Sequence, residues 1–188
     1  MHDVRRFLPY RADAQGDEKN SEVKKLLLPA QHPEKLKAGD FFLLTGALAV
    51  ARDRTLEFFF NSREKSFPGD AAIFYCGPII RDGRVVSAGP TTSSRMDWAI
   101  DKILSSGVNV IIGKGRLSSP GSKILKKRGV YFETPGGAGA LLASRVISCR
   151  TVSYAVLGAQ ALRLFEVKDF PVIVSQDYEG RTIWRQTL

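Results

Sequence analysis

The run VVSAGPTTSSRMD, residues 85–97, carries a β-like segment into a Gly-Pro break and then, through four hydroxyl residues, into an amphipathic pattern. Val85 and Val86 read as the end of a strand. Gly89-Pro90 stops it, because proline lacks an N–H and restricts the residue before it. Beyond the break, Ser94 and Asp97 have the spacing of a capping box, and Met96, Ala99, Ile100, Ile103 and Leu104 recur at helical intervals. The stretch predicts a strand, a turn and a helix. Unpaired N–H groups and the positive end of the dipole at such a helix start suit a carboxylate or phosphate. Thr91, Thr92, Ser93 and Arg95 stand there. The plainer reading is ordinary capping, with Arg95 on the solvated face of the helix.

Working outward, Val108 to Ile112 is a short apolar strand of the buried parallel kind, ending in Gly113-Lys114-Gly115, where a backbone can come close to a ligand within reach of an ammonium. That triplet lacks the spacing of a P-loop. Ser119 and Pro120 then read as N-cap and first residue of a helix, Gly129 ends it, and Val130 to Glu133 is a strand. Pro135 to Gly139 leads into a helix expected over Ala140 to Ile147. Ser153 to Leu157, Leu162 to Val167, Val172 to Val174 and Arg181 to Trp184 are strand candidates. On the other side, Asp82-Gly83 is a hairpin signal between Ile79-Ile80 and Arg84 to Ala88. Upstream of it lie strands at Ala71 to Cys76, Phe41 to Val50 (interrupted at Thr45-Gly46) and Val23 to Leu28. A short helix follows Thr55, with a turn at Pro68-Gly69. Arg52, at the end of a buried strand, stands where α/β folds commonly hold ligands, although an ion pair with Asp53 explains it more cheaply. Strands and helices interspersed, parallel beside antiparallel, predict a layered α/β domain over residues 24–188. Residues 1–23 lack a sustained period and read as a mobile arm.

Composition limits the function. The 188 residues, 44% apolar, suit one domain with a sizeable core. No apolar run approaches the roughly 18 residues of a membrane span, and the N-terminus has no long apolar signal core. A cytoplasmic location with no membrane partner is the expectation. Cys76 and Cys149 form no CxxC pair and sit in apolar surroundings, so they read as free thiols, not as metal ligands. The net charge of +9 is concentrated in residues 81–128, where ten Lys and Arg face three Asp and Glu. That field favours anionic partners.

Taken together, LKAGDFFLLTG (36–46), ARD (51–53), AIFYCGPI (72–79), SAGPTTSSRMD (87–97), VIIGKG (110–115), PGGAGALLA (135–143) and VKDFP (167–171) resemble, in order and spacing, the C-terminal catalytic domain of class I iron–sulfur fumarate hydratases. The same domain forms the β subunit of two-subunit fumarases and of L-tartrate dehydratase. The resemblance implies a swivelling β/β/α fold and a hydro-lyase active only with an α subunit. That partner would hold a [4Fe-4S] cluster, which this chain would not ligate. The implied reaction is reversible hydration of fumarate to (S)-malate, with dehydration of L-tartrate or another 2-hydroxy diacid as the alternative. A β–β pairing in an α2β2 assembly is compatible with it. By motif, Thr91 matches the threonine proposed as catalytic base, and Arg52, Arg95 and Lys114 match cations that bind substrate carboxylates. Two positions depart from the family pattern: Leu56 stands where many relatives have histidine, and Gln160 replaces an acid. From another class, a non-catalytic module binding nucleic acid or nucleotide would use the 81–128 charge, but stacking aromatics are missing among those cations.

Overall fold

The computed structural model describes residues 23–62, 67 and 72–184. The N-terminal arm, apart from Val23, and the Pro68-Gly69 turn lie outside the described residues. The order is β1 (Lys24–Leu27), β2 (Phe41–Ala51), α1 (Asp53–Asn61), β3 (Ala72–Tyr75), β4 (Ile79–Arg81), β5 (Arg84–Ser87), α2 (Ile100–Ser105), β6 (Val110–Gly113), α3 (Ser119–Leu125), β7 (Val130–Glu133), α4 (Gly139–Ala143), β8 (Val146–Ser153) and β9 (Leu162–Gln176). The architecture is mixed α/β.

Its main sheet closes on itself. β2, β3, β6 and β7 run parallel in that order, and β9 pairs antiparallel with both β7 and β2, completing a ring of five strands. β1 adds in parallel to the first half of β2, and β8 adds antiparallel to the first half of β9. β4 and β5 form a separate hairpin whose turn residues Asp82 and Gly83 both take positive φ, as a two-residue hairpin turn demands.

Side-chain alternation on these strands builds two cores. Phe42, Leu44, Leu48 and Val50 of β2, Phe74 of β3, Val110 and Ile112 of β6, Val130 and Phe132 of β7, and Phe165 and Val167 of β9 fill one cluster. The intervening Ala49, Ala51, Ile73, Tyr75, Ile111 and Tyr131 join a second, with Leu56 and Phe59 of α1, Ile100 and Ile103 of α2 and Leu125 of α3. The ring is thus packed inside and covered by helices outside. β9 keeps this pattern over 15 residues because an irregularity opposite Leu44 and Gly46 takes up one residue, with Asp169 at positive φ, so that Phe170, Val172 and Val174 return to the inner core.

Several expected boundaries differ. The segment after the Gly-Pro break is a 3-10 turn over Ser93–Ala99 that continues into α2, and Thr92, not Ser94, takes the N-cap position without a side-chain cap. Asp97 does not close a capping box; its carboxylate accepts from the Ser118 N–H at 2.7 Å. That bond ties the start of α3 to the segment, and Ser118, not Ser119, caps α3 by accepting from the Gly121 N–H. The helix expected to reach Ile147 stops at Ala143, since residues 146–153 pair antiparallel with β9 and that ladder takes up their backbone groups. Residues 155–160 form a 3-10 segment in place of a strand, and Leu162 to Val174 belongs to a single strand. Near the C-terminus only an isolated bridge, Gln176 to Thr182, replaces the expected last strand.

Candidate active site

The C-terminal ends of four adjacent parallel strands supply the site. Arg52 follows β2, Gly77 lies just beyond β3, Lys114 follows β6 and Gly136 lies beyond β7. Residues 90–92 run across the gap between β3 and β6: Cys76 bridges Pro90 and Thr92 bridges Lys114. Thr91 is held there by its N–H, which donates to the Tyr75 carbonyl at 2.8 Å. Thr91 is half-buried, and its hydroxyl bonds to nothing among the described residues.

Buried hydroxyls set the position of Lys114. The Ser93 N–H donates to the Lys114 carbonyl at 3.0 Å, and the Lys114 N–H donates to Ser93 Oγ at 3.1 Å. Tyr131, on the adjoining strand, donates to the Gly115 carbonyl at 2.7 Å and shares a 2.8 Å hydrogen bond with Ser93 Oγ. Both flanks of Lys114 are therefore tied to one phenol, whose ionisation burial strongly opposes. The lysine stem lies against Gly136, where an added Cβ would come within 3.1 Å of Cδ. Among the described residues, no carboxylate pairs with the Lys114 ammonium.

The two arginines converge on one acid. Asp53 lies 3.4 Å from Arg52 Nε through Oδ1 and accepts from Arg95 Nη2 through Oδ2. The pair of Arg52 with Asp53 that the sequence suggested is present, but Asp53 also reaches 42 residues along the chain to Arg95. Asp53 was visible only as the third letter of ARD, and its bridging role depends on the tertiary approach of α1 to the 93–99 turn. Gly77 completes this side, because a Cβ there would stand 2.9 Å from Arg52 Cδ and 3.0 Å from Nη1. Thr91, Lys114, Arg52 and Arg95 thus share one rim of the ring. The side chain of Arg95 is about half exposed, so its guanidinium is open to a ligand or a partner.

Two other cations of the basic segment are paired locally. Arg128 pairs with Asp101, and Lys127 with Glu179. Both positions that depart from the family pattern belong to the start of α1, Leu56 within it and Gln160 against its first turn. Leu56 is fully buried in the outer core. Gln160 accepts from the Arg54 N–H at 3.3 Å, and its carbonyl accepts from the Thr55 hydroxyl. Neither offers an ionisable group to the rim.

The described residues do not form a cradle for an iron–sulfur cluster. Among them, no three His, Cys, Asp or Glu side chains converge. Cys76 lies 1% exposed in the inner core, and burial pushes its thiol from 9.0 up to about 12. Cys149, half-buried on β8, is also raised by burial. The Cys76 thiol stays protonated in the folded chain while the unfolded thiol ionises near its ordinary value, so this burial stabilises the fold below pH 9 and loses that effect as pH rises toward 12. The stability gap between wild type and Cys76→Ala should therefore narrow above pH 9 by about 1.4 kcal/mol per pH unit in urea titrations. A gap that stays constant from pH 8 to 11 would show that the thiol is not buried in this way.

The model of the fumarase C-terminus family matches residues 2–187. The chain belongs to the fumarase C-terminus family. It is 34% identical over 181 residues to the L(+)-tartrate dehydratase subunit beta of Escherichia coli K12, spanning 86% of this chain and 87% of the relative. It is also 34% identical over 167 residues to a protein of Methanocaldococcus jannaschii described as a putative L(+)-tartrate dehydratase subunit beta, with 81% and 86% covered. Against the aerobic class I fumarate hydratase of E. coli K12 the identity is 35% over 122 residues, 62% of this chain and 22% of that longer protein. The motifs quoted from the sequence lie within the matched family segment. No helix among the described residues is long and apolar enough to cross a membrane.

Proposed function

We propose that this chain is the β subunit of a two-subunit hydro-lyase that removes water from a small 2-hydroxy diacid, with L-tartrate ahead of malate and fumarate as substrate. The observation that carries the reading is the convergence of Thr91, Lys114, Arg52 and Arg95 on one strand-end rim. The sequence alone put fumarate first; near-full-length likeness to tartrate dehydratase β subunits supports the reverse order. The closed sheet with helices on its outer face is compatible with the swivelling β/β/α arrangement of the family.

Each residue has a separable task. Arg52, Arg95 and Lys114 bind the two carboxylates, the guanidinium forks fixing orientation and the ammonium adding charge. Asp53 holds both arginines in place and offsets part of their repulsion. During dehydration Thr91, acting as its alkoxide, takes the proton from the carbon next to the carboxylate as hydroxide leaves the neighbouring carbon, and the proton passes to that hydroxide as water; hydration runs the same steps in reverse. A threonine hydroxyl needs neighbouring positive charge to act as a base, a role we assign to the ammonium of Lys114, whose backbone bridges the adjacent Thr92. We assign the [4Fe-4S] cluster to the α subunit, and the partly exposed rim is where that subunit would complete the site.

The test is anaerobic assay of this chain mixed with its α partner after iron and sulfide reconstitution, with each chain alone as control. Turnover is expected only in the mixture, with kcat/KM higher for L-tartrate than for fumarate. Faster fumarate turnover would restore the first substrate order. Failure of the two chains to associate would overturn the subunit reading.

A further inference from the structure

The inner core contains one charge that no carboxylate among the described residues balances. Arg163 sits on β9 opposite Val50 of β2 and is 9% exposed. Its Nε is buried with no hydrogen-bond partner, and Nη1 makes only a long 3.4 Å contact to the Ala161 carbonyl. A buried unpaired charge costs several kcal/mol, and proteins tolerate it where an anion is bound.

Its neighbours say where that anion lies. Leu162 and Leu164 belong to the outer core, whereas Phe165 belongs to the inner one, so strand alternation turns Arg163 inward at the level of Val50. Two residues beyond Val50 is Arg52. The guanidinium charges of Arg52 and Arg163 both act on the Cys76 thiol. Cys76 in turn bridges Pro90, which adjoins Thr91. The Nε of Arg52 is likewise buried without a hydrogen bond, although Asp53 stands 3.4 Å away. Gly77 lets the Arg52 side chain pass, since a Cβ there would stand 2.9 Å from Arg52 Cδ and 3.6 Å from the Ala159 carbonyl.

We infer that Arg163 is a further substrate-binding residue, forming with Arg52 a two-guanidinium subsite for one carboxylate of the diacid, while Arg95 and Lys114 take the other. The inference rests on the hydro-lyase reading for the identity of the ligand as substrate, but the subsite itself requires only a carboxylate. With Asp53 balancing one cation of the rim, Arg52, Arg95 and Lys114 already leave two positive charges, and Arg163 adds a third on the side of Arg52. Losing Arg163 should therefore cost a diacid more than a hydroxy monoacid that Arg95 and Lys114 can hold.

The test uses the assembled two-chain protein and calorimetric titration with succinate, an unreactive dianion, and with butyrate, its singly charged counterpart. Arg163→Met, which removes the charge, should weaken succinate binding about ten- to a hundredfold, the range of a lost charge-assisted hydrogen bond, and weaken butyrate much less, because its single carboxylate can sit on Arg95 and Lys114 instead. Arg163→Lys should recover part of the loss. Where a diacid is turned over, KM should rise more than kcat falls. Unchanged succinate affinity in Arg163→Met overturns the inference, as does equal weakening for both ligands, the mark of a general disturbance. If Arg163→Met instead loses the α subunit, a partner carboxylate is the counter-ion and the inference fails. If that variant does not fold, Arg163→Lys decides alone, because it lacks the planar fork: wild-type succinate affinity would overturn the subsite. Absence of turnover with intact, Arg163-dependent succinate binding would refute the hydro-lyase reading and leave the subsite standing.

Discussion

Replacing Thr91 with alanine in the reconstituted two-chain enzyme is expected to lower kcat about a hundred- to ten-thousand-fold, the range of a lost proton-transfer group. The backbone N–H that anchors this residue to Tyr75 is kept by alanine, and the hydroxyl has no partner among the described residues to leave orphaned. Thermal stability and succinate affinity should therefore stay close to wild type. Solvent deuterium exchange at the substrate carbon, followed by NMR, separates proton transfer from the loss of water. Exchange should disappear with turnover in Thr91→Ala. If turnover survives, or if it falls while exchange continues at the wild-type rate, Thr91 is not the base. Thr91→Ser, which retains a hydroxyl, should keep more activity than alanine.

Gly113→Val is expected to cost about 3 kcal/mol or more of stability and about a hundredfold in kcat/KM, through a different cause. A Cβ at Gly113 would stand 1.9 Å from Ser93 Oγ and 3.3 Å from both Ser93 Cβ and Tyr75 Cδ2. The strand end is fixed by its parallel ladders and cannot retreat. Ser93 would have to leave, breaking its bonds to Lys114 and Tyr131 and leaving buried polar groups without partners. Thr91 is two residues from Ser93, so the shift reaches the proposed base, and displacement of about 1 Å is enough for such a rate loss. Urea unfolding and steady-state kinetics read the two effects. Wild-type stability in Gly113→Val would mean that the 90–93 segment does not close over β6 as described. Ser93→Ala with Gly113→Ala, which removes the clashing hydroxyl as the Cβ is added, should recover part of the stability.

Local signals made much of this molecule legible. Asp82-Gly83 announced a hairpin because both residues accept positive φ, and Val110 to Gly113 announced a buried parallel strand by its apolar run. The rim residues were visible because glycines, hydroxyls and cations cluster at strand ends: Gly113-Lys114-Gly115, Thr91 and Arg95 after Gly89-Pro90, and Arg52 after β2. Where two local readings competed, the sequence was ambiguous. Residues 140–153 hold an apolar run compatible with a helix or a strand, and the long-range ladder of β8 to β9 selected the break at Ser144 and Arg145.

What the sequence by itself determined, then, is the strands and helices from β2 to β7, the alternation that gives those strands an inner and an outer face, and which strand ends carry glycines, hydroxyls and cations. Those properties depend on residues a few positions apart. Only the tertiary structure decided that β9 joins β7 to β2 and closes the ring, that Asp53 bridges Arg52 and Arg95, that Tyr131 braces Lys114, and that Arg163 turns into the core beside Cys76. Each of these joins residues remote in sequence. Their pairing follows from the combined burial and hydrogen-bonding of the whole sheet, which no local window contains.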